Sequence, residues 1–589
     1  MKKFFLCIAA LCGMFTVNAG DYSNYGALQV LNNQLCDKDG HPVQLRGWST
    51  HGPWHMAAYD DATDFQRMKN AGANIARIAM YLNEGHAYID YPEDNIAWVE
   101  NCIDYCAAQN MYCIVDWHAL KDRDGEGSSS LVSALTDPAP GFFSEISAYV
   151  KSRNYHHVLY EILNEPNKNI EGDPYLIGKE IWPLMKSYAE TVLPVIKAND
   201  PNAVVIVGTP QWNTDLANPL TNPLDQSLIA GMNIMYAFHF YAGDQERYLG
   251  ELSAASAFMP IFVSDWSVDS HTGGGSYDKG KPVADKFLAV CNGLNLGGQL
   301  ISWCSWSWSD KGDASAAFTN YANNQWSASG NYVKTELARG DGRFVYRQSS
   351  AYNDPQVFEG TNDLNLDLGA YNEGGQGHAY WDYDGDMTTT PGAYGYANMY
   401  GDFRTDDNVD IGYTNNDNPE DGYYWLSYIL NPEWVEYTID AKYAGDYAFE
   451  VFTNNYDDIN IVAFTMDGKN CLYDNNGQEQ KAVYLPPCHG GTSNSVGYNE
   501  WDWTKVQRVQ PIAGEKFYLR IPSAGEHKLA IAFLTPGTGL GTIKLIGNEE
   551  TAIEDIRIDS DKPVKVCQDG QLYILRDGKI FNATGAEVK

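Results

Sequence analysis

Short apolar strands alternate with amphipathic helices from about residue 40 to residue 310, and this alternation constrains the fold more than any other feature. We count eight strand-like runs, at 43–47, 74–80, 112–117, 158–163, 203–207, 233–240, 260–265 and 299–303. Helical patterns lie between them at 62–71, 96–109, 175–197 and 283–294. Eight such repeats predict a closed (β/α)8 TIM barrel, an α/β fold with its active site at the carboxyl ends of the strands. A doubly wound open sheet is the alternative, but no glycine-rich phosphate loop follows a strand, so we expect no nucleotide.

The pattern changes after about residue 337. From 345 to 546, short alternating strands are separated by Gly, Asn and Asp clusters, which predicts an all-β jelly-roll or β-sandwich domain. We therefore expect a barrel at 20–340, a linker at 341–349, a β-sandwich at 350–548 and a tail at 549–589. In the tail, an Asp-Gly turn between 572–575 and 579–581 predicts a hairpin.

Residues 1–19 have the pattern of a secretory signal peptide, with Lys2 and Lys3 before an apolar stretch and a small-residue cleavage site. No later segment reaches ~18 uninterrupted apolar residues, so we expect an exported protein, secreted or at the cell surface, without a membrane span. Nine of the 11 cysteines follow the signal, and we expect buried thiols rather than a metal site.

The composition restricts the partner. A formal charge of −36 excludes general attraction to nucleic acid or to an anionic membrane surface. The aromatic content of 13% exceeds what cores usually need and suits stacking on the apolar faces of sugar rings, although most rings pack cores. We expect a neutral polysaccharide partner and no cofactor.

Two carboxylates follow predicted strands. Glu165 comes after the apolar run 157–163, between Asn164 and Pro166, and the proline prevents the strand from continuing. Asp265 ends the apolar run that begins at Pro260. Cleavage of a glycosidic bond requires two such groups, one as proton donor and one as nucleophile or base. These two residues are therefore the candidate catalytic pair.

Other polar and aromatic side chains also lie at predicted strand ends. Taken singly, each has a structural explanation, since Arg77 could form a surface ion pair and His239 could be a hydrogen-bonded core histidine. Taken together they indicate a site. The set is Arg77, His118, Asn164, Glu165, His239, Tyr241, Asp265 and Trp303.

At these positions the chain resembles the family 5 glycoside hydrolases, in particular the bacterial endoglucanases, over about residues 26–339. The resemblance rests on motifs that occur in the family's order. They are Leu-Arg-Gly-Trp-Ser-Thr-His at 45–51, Ala-Arg-Ile-Ala-Met-Tyr at 76–81, Val-Asp-Trp-His at 115–118, Tyr-Glu-Ile-Leu-Asn-Glu-Pro at 160–166, Phe-His-Phe-Tyr at 238–241, Ile-Ser-Trp at 301–303 and Ser-Asp-Lys at 309–311.

The resemblance implies a role for each matching residue. Glu165 would be the general acid/base, and Asn164 would hydrogen-bond the sugar 2-hydroxyl. Trp303 would form a stacking floor beneath the sugar, with the neighbouring sugar held by His51 and Lys311. The residues that would orient the two carboxylates are Arg77, His118, His239 and Tyr241. General chemistry agrees, because Arg77 and Tyr241 would keep the opposing carboxylate ionised.

The chain departs from the family at the nucleophile, where Ser264-Asp265-Trp266 has Asp in place of the usual Glu. Retaining enzymes hold their carboxyl groups about 5 to 5.5 Å apart, and one missing C–C bond of ~1.5 Å would widen this to roughly 6.5 to 7 Å. Three interpretations follow. A shifted strand would restore a retaining enzyme, a wider gap would admit water for an inverting route, or the site would bind glycan without cleaving it.

The second domain has its own resemblance, to a family 6 carbohydrate-binding module. It rests on the segments 371–382, 403–404, 409–411, 433–439, 444–447 and 524–529, although the last loop, at 538–541, lacks the expected Asn. Candidate stacking rings, each also explained by core packing, are Tyr413, Trp425, Trp434, Trp501 and Trp503. The segments 552–555 and 570–589 resemble truncated C-terminal sorting tails of exported Bacteroidetes proteins.

The sequence therefore predicts an exported β-1,4-glucan hydrolase of endoglucanase type that acts by a retaining mechanism. The alternatives are a hydrolase of mixed-linkage glucan, xyloglucan or mannan, a glycan-binding surface protein with impaired catalysis, and a structural surface protein. Loops set the shape of the sugar subsites, so the sequence does not separate these substrates.

Overall fold

The computed structural model describes residues 25–53, 59–120, 131, 133–167, 174–339, 345–382, 404, 407, 409–413, 424–426, 429, 432–455, 460–485, 507–509, 516–548, 564–568, 571–576, 579–582 and 587–588. The predicted signal peptide and the candidate rings Trp501 and Trp503 lie outside these residues. None of the helices described combines the length and apolar composition that a bilayer crossing requires.

Eight parallel strands close into a barrel in sequence order, which confirms the predicted TIM barrel. The strands are β1 (Arg46–Ser49), β2 (Ile75–Tyr81), β3 (Tyr112–His118), β4 (Val158–Glu161), β5 (Val204–Val207), β6 (Asn233–Tyr241), β7 (Ile261–Ser267) and β8 (Ser302–Ser305). Two predicted strands, the first at 43–47 and the last at 299–303, begin about three residues later in the structure. The first predicted run is shifted because Val43 pairs instead with Leu35 of an N-terminal hairpin (Gln29–Leu31 and Gln34–Cys36).

The barrel core has two layers. Inward side chains such as Ile75, Ile114 and Ile206 fill the barrel and also contact Leu28 and Leu35, from the N-terminal segment that covers its lower end. Outward side chains pack under the surrounding helices. The α-helices of this region, besides a short turn at Pro210–Asn213, are Ala62–Asn70, Pro92–Ala108, Ser133–Thr136, Ala139–Arg153, Pro174–Asn199, Ala217–Thr221, Gln226–Ile229, Leu249–Ala255, Tyr277–Cys291 and Ala328–Ala338.

The C-terminal region forms two β-sheets that face each other. One contains Gln356–Phe358, Glu433–Ala441, Gly525–Phe533, Asn460–Met466 and Lys469–Asn470, joined at its sides by Tyr380–Trp381 and Val483–Leu485. The other contains Ile411–Tyr413, Tyr424–Leu426, Thr538–Leu545, Gly445–Asn455, Phe517–Ile521 and Leu472–Asp474, joined by Leu364–Asn365 and Gln507–Val509. Alternate residues such as Tyr437, Ile531, Phe449 and Ile543 form a shared core, as in a β-sandwich.

Three smaller features bear on the sequence predictions. In the tail, Gln571–Arg576 pairs antiparallel with Lys579–Asn582, as expected of the hairpin, within a four-stranded sheet that also contains Val564–Gln568 and Glu587–Val588. The domain limits stay a prediction, although the last barrel helix ends at Ala338 and the first sandwich strand begins at Gln356. Among the side chains that the structure describes, seven cysteines are buried thiols that form no disulfide: Cys36, Cys102, Cys106, Cys113, Cys291, Cys304 and Cys471.

Candidate active site

The guanidinium of Arg77, fully buried on β2, connects residues from three other strands, β3, β4 with its following loop, and β7. Its Nε donates to Glu161 Oε2 at 2.6 Å, and its Nη2 donates to Asn164 Oδ1 at 2.7 Å. The same guanidinium lies 2.9 Å from Asp116 Oδ2 and 3.2 Å from Asp265 Oδ2. Arg77 is therefore not a surface ion pair but the centre of the candidate site.

Glu161 is a residue that sequence reasoning missed, because it lies within an apolar run that reads as an ordinary buried strand. Burial by itself would raise the pKa of Glu161, but Arg77 and His239 lower it to about 2. Ser264 Oγ donates to its other oxygen at 2.8 Å. Glu161 is thus an ionised carboxylate beneath the site, and it fixes both Arg77 and Ser264.

His239, on β6, connects this buried network to Glu165. Its Nδ1 lies 3.0 Å from Glu165 Oε1, and its Nε2 lies 2.9 Å from Ser264 Oγ. Burial favours the neutral ring, but Glu161 and Glu165 raise the pKa of His239 to about 9. Glu165 itself has a positive φ of 42°, an uncommon backbone conformation for a residue other than glycine. The histidine therefore holds a carboxylate that the backbone already presents in a constrained loop.

His118, at the end of β3, presents a free ring nitrogen. Its Nδ1 lies 2.6 Å from Asp116 Oδ2, while its buried Nε2 has no hydrogen-bond partner among the described residues. Burial and the nearby Arg77 lower the pKa of His118 to about 3, so the ring is neutral. With Nδ1–H donating to Asp116, Nε2 carries a lone pair that can accept a hydroxyl proton.

Asp265 lies at a β-bulge in β7. Towards β6, Ala237 pairs with Phe262 and His239 with Asp265, so a step of two residues in β6 matches a step of three in β7. Towards β8, Trp303 pairs with Val263 and Ser305 with Trp266, which is again a step of two against three. The extra residue therefore lies next to Asp265 at both strand pairings. A bulge bends its strand and redirects side chains, so the backbone is locally displaced where the sequence has the shorter acid.

The environment of Asp265 favours its protonated form. Burial raises the pKa of Asp265 to about 7, although the Arg77 guanidinium and His239 act in the opposite direction. Its Oδ1 is buried and has no hydrogen-bond partner in the described part of the chain. The ion pair with Arg77 does not prevail, because one guanidinium is shared among Asp116, Glu161 and Asp265.

The prediction that Trp303 forms the stacking floor is wrong. Its ring is fully buried and packs edge-on against Trp266 at 5.5 Å, on the outer side of the barrel wall. Trp306, just beyond β8, lies instead in the site, with its ring 4.3 Å from that of His51 and stacked at 5.6 Å on His118. Strand alternation explains the difference, because Cys304 points inward and the next inward position is Trp306.

The remaining predicted residues are placed around this ring or beside the two acids. His51 Nε2 lies 2.9 Å from Ser307 Oγ, and Lys311 Nζ lies 5.2 Å from the centre of the Trp306 ring. Tyr241 is on β6, two residues after His239. Burial and the neighbouring Asp265 and Glu165 raise the pKa of its hydroxyl well above the usual range. The hydroxyl is therefore a hydrogen-bond donor next to the acids.

An exposed tryptophan at the rim also escaped sequence reasoning. Gln211, Trp212 and Asn213 follow β5 and are all left-handed, with φ of 57°, 57° and 62°. Trp212 donates its backbone N–H to Pro166 O at 3.4 Å and is 44% exposed. Consecutive left-handed residues other than glycine cost roughly 1–2 kcal/mol each and persist only where surrounding contacts impose them. The turn therefore places an aromatic face in solvent beside the Glu165 loop.

Comparison with known proteins agrees with this geometry. The cellulase family, glycosyl hydrolase family 5, matches residues 36–312. An endoglucanase of Clostridium saccharobutylicum is 34% identical over 367 residues, which cover 60% of this chain and 73% of that protein. Cellulase CelDZ1 of Thermoanaerobacterium sp is 33% identical and has 78% of its length covered by 51% of this chain. The chain belongs to glycosyl hydrolase family 5.

Other relatives are covered less completely. Endoglucanase E-5 of Thermobifida fusca is 35% identical over 325 residues, so that 53% of this chain spans 64% of that relative. The catalytic domain of the Thermobifida fusca endoglucanase Cel5A has a solved structure, with 33% identity, a TM-score of 0.46 and coverage of 97% of that domain and 53% of this chain. The family match ends at residue 312, before the first strand of the β-sandwich.

We predict that Asp265→Asn stabilises the protein against unfolding, and that the gain grows with pH. The pKa of this carboxyl rises from 3.8 to about 7 on folding. The folded protein therefore loses stability as pH increases through that interval, by up to about 4 kcal/mol. Urea unfolding at pH 4.5 and pH 8 measures the difference. The exposed Asp354→Asn is the matched control, and an equal effect of Asp265→Asn at both pH values would contradict the assignment.

Proposed function

We propose that this family 5 protein is an exported hydrolase that cleaves β-1,4-linked glucan with retention of anomeric configuration. The observation that carries the proposal is the pair of acids beyond β4 and on β7, with Glu165 held by His239 and Asp265 paired with Arg77. Relatives named as endoglucanases and cellulases support the substrate class. The export rests on the signal-like pattern of residues 1–19.

Each side chain has a definite task in this reaction. An Asp265 oxygen attacks the anomeric carbon while Glu165 gives its proton to the departing glycosidic oxygen, which produces a glycosyl ester on Asp265. Glu165 then takes a proton from water, whose oxygen attacks the same carbon and releases Asp265. Asn164, which accepts a hydrogen bond from Arg77, would bond the sugar 2-hydroxyl in this reaction, and Trp306 would supply an apolar floor.

A second candidate function is glycan binding without turnover. Two observations at Asp265 favour it, since a nucleophile must be ionised and aligned. Its Oδ1 has no hydrogen-bond partner within the described part of the chain, and its pKa is raised. Incubation with carboxymethylcellulose, mixed-linkage glucan, xyloglucan and mannan separates the two functions when released reducing ends and binding are measured together. Binding without product would support the second function.

Glu165→Gln should abolish glucan cleavage and leave binding intact, because it removes the ionisable proton donor and preserves the shape. General acid catalysis contributes roughly 100-fold to 10,000-fold, so the loss of kcat should be plain. Glu180→Gln, at an exposed position on the helix Pro174–Asn199, is the matched control. Parent-like turnover by Glu165→Gln would show that another group is the acid.

The rate of cleavage should increase as pH rises to about 7, because Asp265 must lose its proton before it can attack. A raised pKa leaves this carboxyl protonated below that value, so kcat/KM should fall about tenfold for each pH unit on the acidic side. Initial rates from pH 4.5 to pH 8.5 test this. A rate that is already maximal at pH 5 would exclude Asp265 as a nucleophile with this titration.

Asp265→Glu restores the methylene that the family has at this position and distinguishes the three interpretations of the shorter acid. If reach alone limits the reaction, hydrolysis should rise tenfold or more, about 1.4 kcal/mol of barrier, with retained anomeric configuration by NMR. If the bulge has adapted β7 to Asp, the added methylene overpacks the site beside Trp266 and the rate falls. Inverted product from the parent would instead indicate the water-mediated route.

A further inference from the structure

The helix Leu249–Ala255, which we call the docking helix, joins the barrel to the β-sandwich. Ser253 Oγ accepts a hydrogen bond from Trp434 Nε1 of the sandwich at 3.0 Å. At Gly250, an added Cβ would lie 1.9 Å from Pro432 O and 3.0 Å from a ring carbon of Trp381. Only a glycine allows the sandwich backbone to come this close to the helix.

The contact is a continuous apolar core rather than a polar tether. Trp434 points out of the sandwich while its neighbours Val435 and Tyr437 point into it. Small side chains on the adjoining strands, Ala463, Ala530 and Ala532, belong to the same apolar cluster as the barrel residues and permit close packing. Trp434 and Trp425, two candidate sugar-stacking rings, are buried in the structure, so neither can stack on a polysaccharide.

The opposite side of the docking helix holds a loop of the barrel. The carboxylate of Glu251 is buried, and its Oε1 accepts from the backbone N–H of Leu216 at 2.5 Å and of Ala217 at 3.2 Å. Asp215 lies beside it and accepts from Asn218 at both carboxylate oxygens. Gly178 makes room for this carboxylate, because an added Cβ would lie 1.8 Å from Asp215 Oδ2.

The same loop continues into the active site. Asn213 accepts from Thr209 N at 2.7 Å through Oδ1, while its Nδ2 lies 3.1 Å from His239 Nε2. Trp212 is the exposed ring of the left-handed turn. A path of direct contacts therefore runs from the sandwich through the docking helix and Glu251 to the loop that carries Trp212 and contacts His239.

We propose that the β-sandwich serves as a brace for the active site and that Glu251 is the positioning residue through which it acts. The sandwich fixes the docking helix, and Glu251 fixes residues 209–218, so that Trp212 forms a rigid platform for the sugar leaving the Glu165 side. The platform role rests on the proposed function, whereas the mechanical coupling is independent of it.

Amide hydrogen exchange of the full chain tests the coupling without reference to activity. We expect Glu251→Leu to increase exchange at Leu216 and Ala217 at least tenfold, whereas Glu251→Gln keeps the acceptor oxygen and restores protection. The carboxyl tolerates this change because burial and Asp215 raise the pKa of Glu251 to about 8, so it is already neutral near pH 7. Glu336→Leu, at a buried position on the helix Ala328–Ala338, is the matched control.

The role of the sandwich is tested at the interface itself. Gly250→Ala and the milder Trp434→Phe, which removes the bond to Ser253, should both raise exchange within 209–218. If both variants fold and neither changes amide exchange within 209–218, the proposed brace is wrong. If Gly250→Ala fails to fold, Trp434→Phe alone decides.

A double-mutant cycle connects the brace to sugar binding. In the Glu165→Gln background, Glu251→Leu and Trp212→Ala should each weaken binding of cello-oligosaccharides about tenfold, and the double variant should lose little more than either single one. Additive losses would show that Glu251 does not act through Trp212. If the parent binds no glucan, the proposed function fails, while the exchange experiment still decides the coupling.

Discussion

The rest of the site depends on one buried cation, the guanidinium of Arg77. A charge without solvent is tolerated only where partners surround it, and here Glu161, Asp116, Asn164 and Asp265 all lie within 3.2 Å. These residues come from β3, from β4 and its following loop, and from β7, so the ion fixes the relative positions of strand ends that are distant in sequence. Loss of Glu161, the carboxylate that is held ionised, would leave the buried cation less compensated, and breaking a buried pair of this kind typically costs 3–5 kcal/mol.

The charge balance around Arg77 also determines how Asp265 behaves. One guanidinium faces three carboxylates, and the shortest contact, to Glu161, holds that group ionised. Asp265 has the longest contact and retains its proton up to about pH 7. Asp265 Oδ1 also has no hydrogen-bond partner among the residues that the structure describes, so the acid at this position is affected by its surroundings as well as by its length.

The barrel and the sandwich could be predicted from the sequence because both obey simple periods. Each barrel strand is buried on both faces and reads as a short apolar run, and the alternation with helices then specifies the topology. Of the predicted site residues, Asn164 and Asp265 contact Arg77 and His239 contacts Glu165, because strand ends of a parallel barrel meet at one edge. Trp303 was the wrong choice for the stacking ring. Side chains alternate between the two faces of a strand, so with Cys304 pointing inward the next inward position is Trp306.

Other features had no local signal. Glu161 is indistinguishable from the apolar run around it until its partners are known, and the bulge in β7 depends on pairing with both neighbouring strands. The turn at Gln211–Asn213 contains no glycine, so its sequence does not predict three left-handed residues. Inward and outward side chains alternate along Glu433–Ala441 as in any sandwich strand. Only the three-dimensional fold shows that the outward Trp434 packs against the barrel.

The left-handed turn explains why a brace is useful in this fold. Three unfavourable backbone conformations in succession would relax in an isolated surface loop, and the exposed Trp212 ring would then lose its fixed position. Glu251 resists this by binding two consecutive amides at the base of the loop, and it can do so only while the docking helix stays in place. The helix has seven residues, too few for stability of its own, and its outer face would expose apolar surface without the sandwich. The order of the loop beside Glu165 is therefore maintained by packing that originates in the second domain.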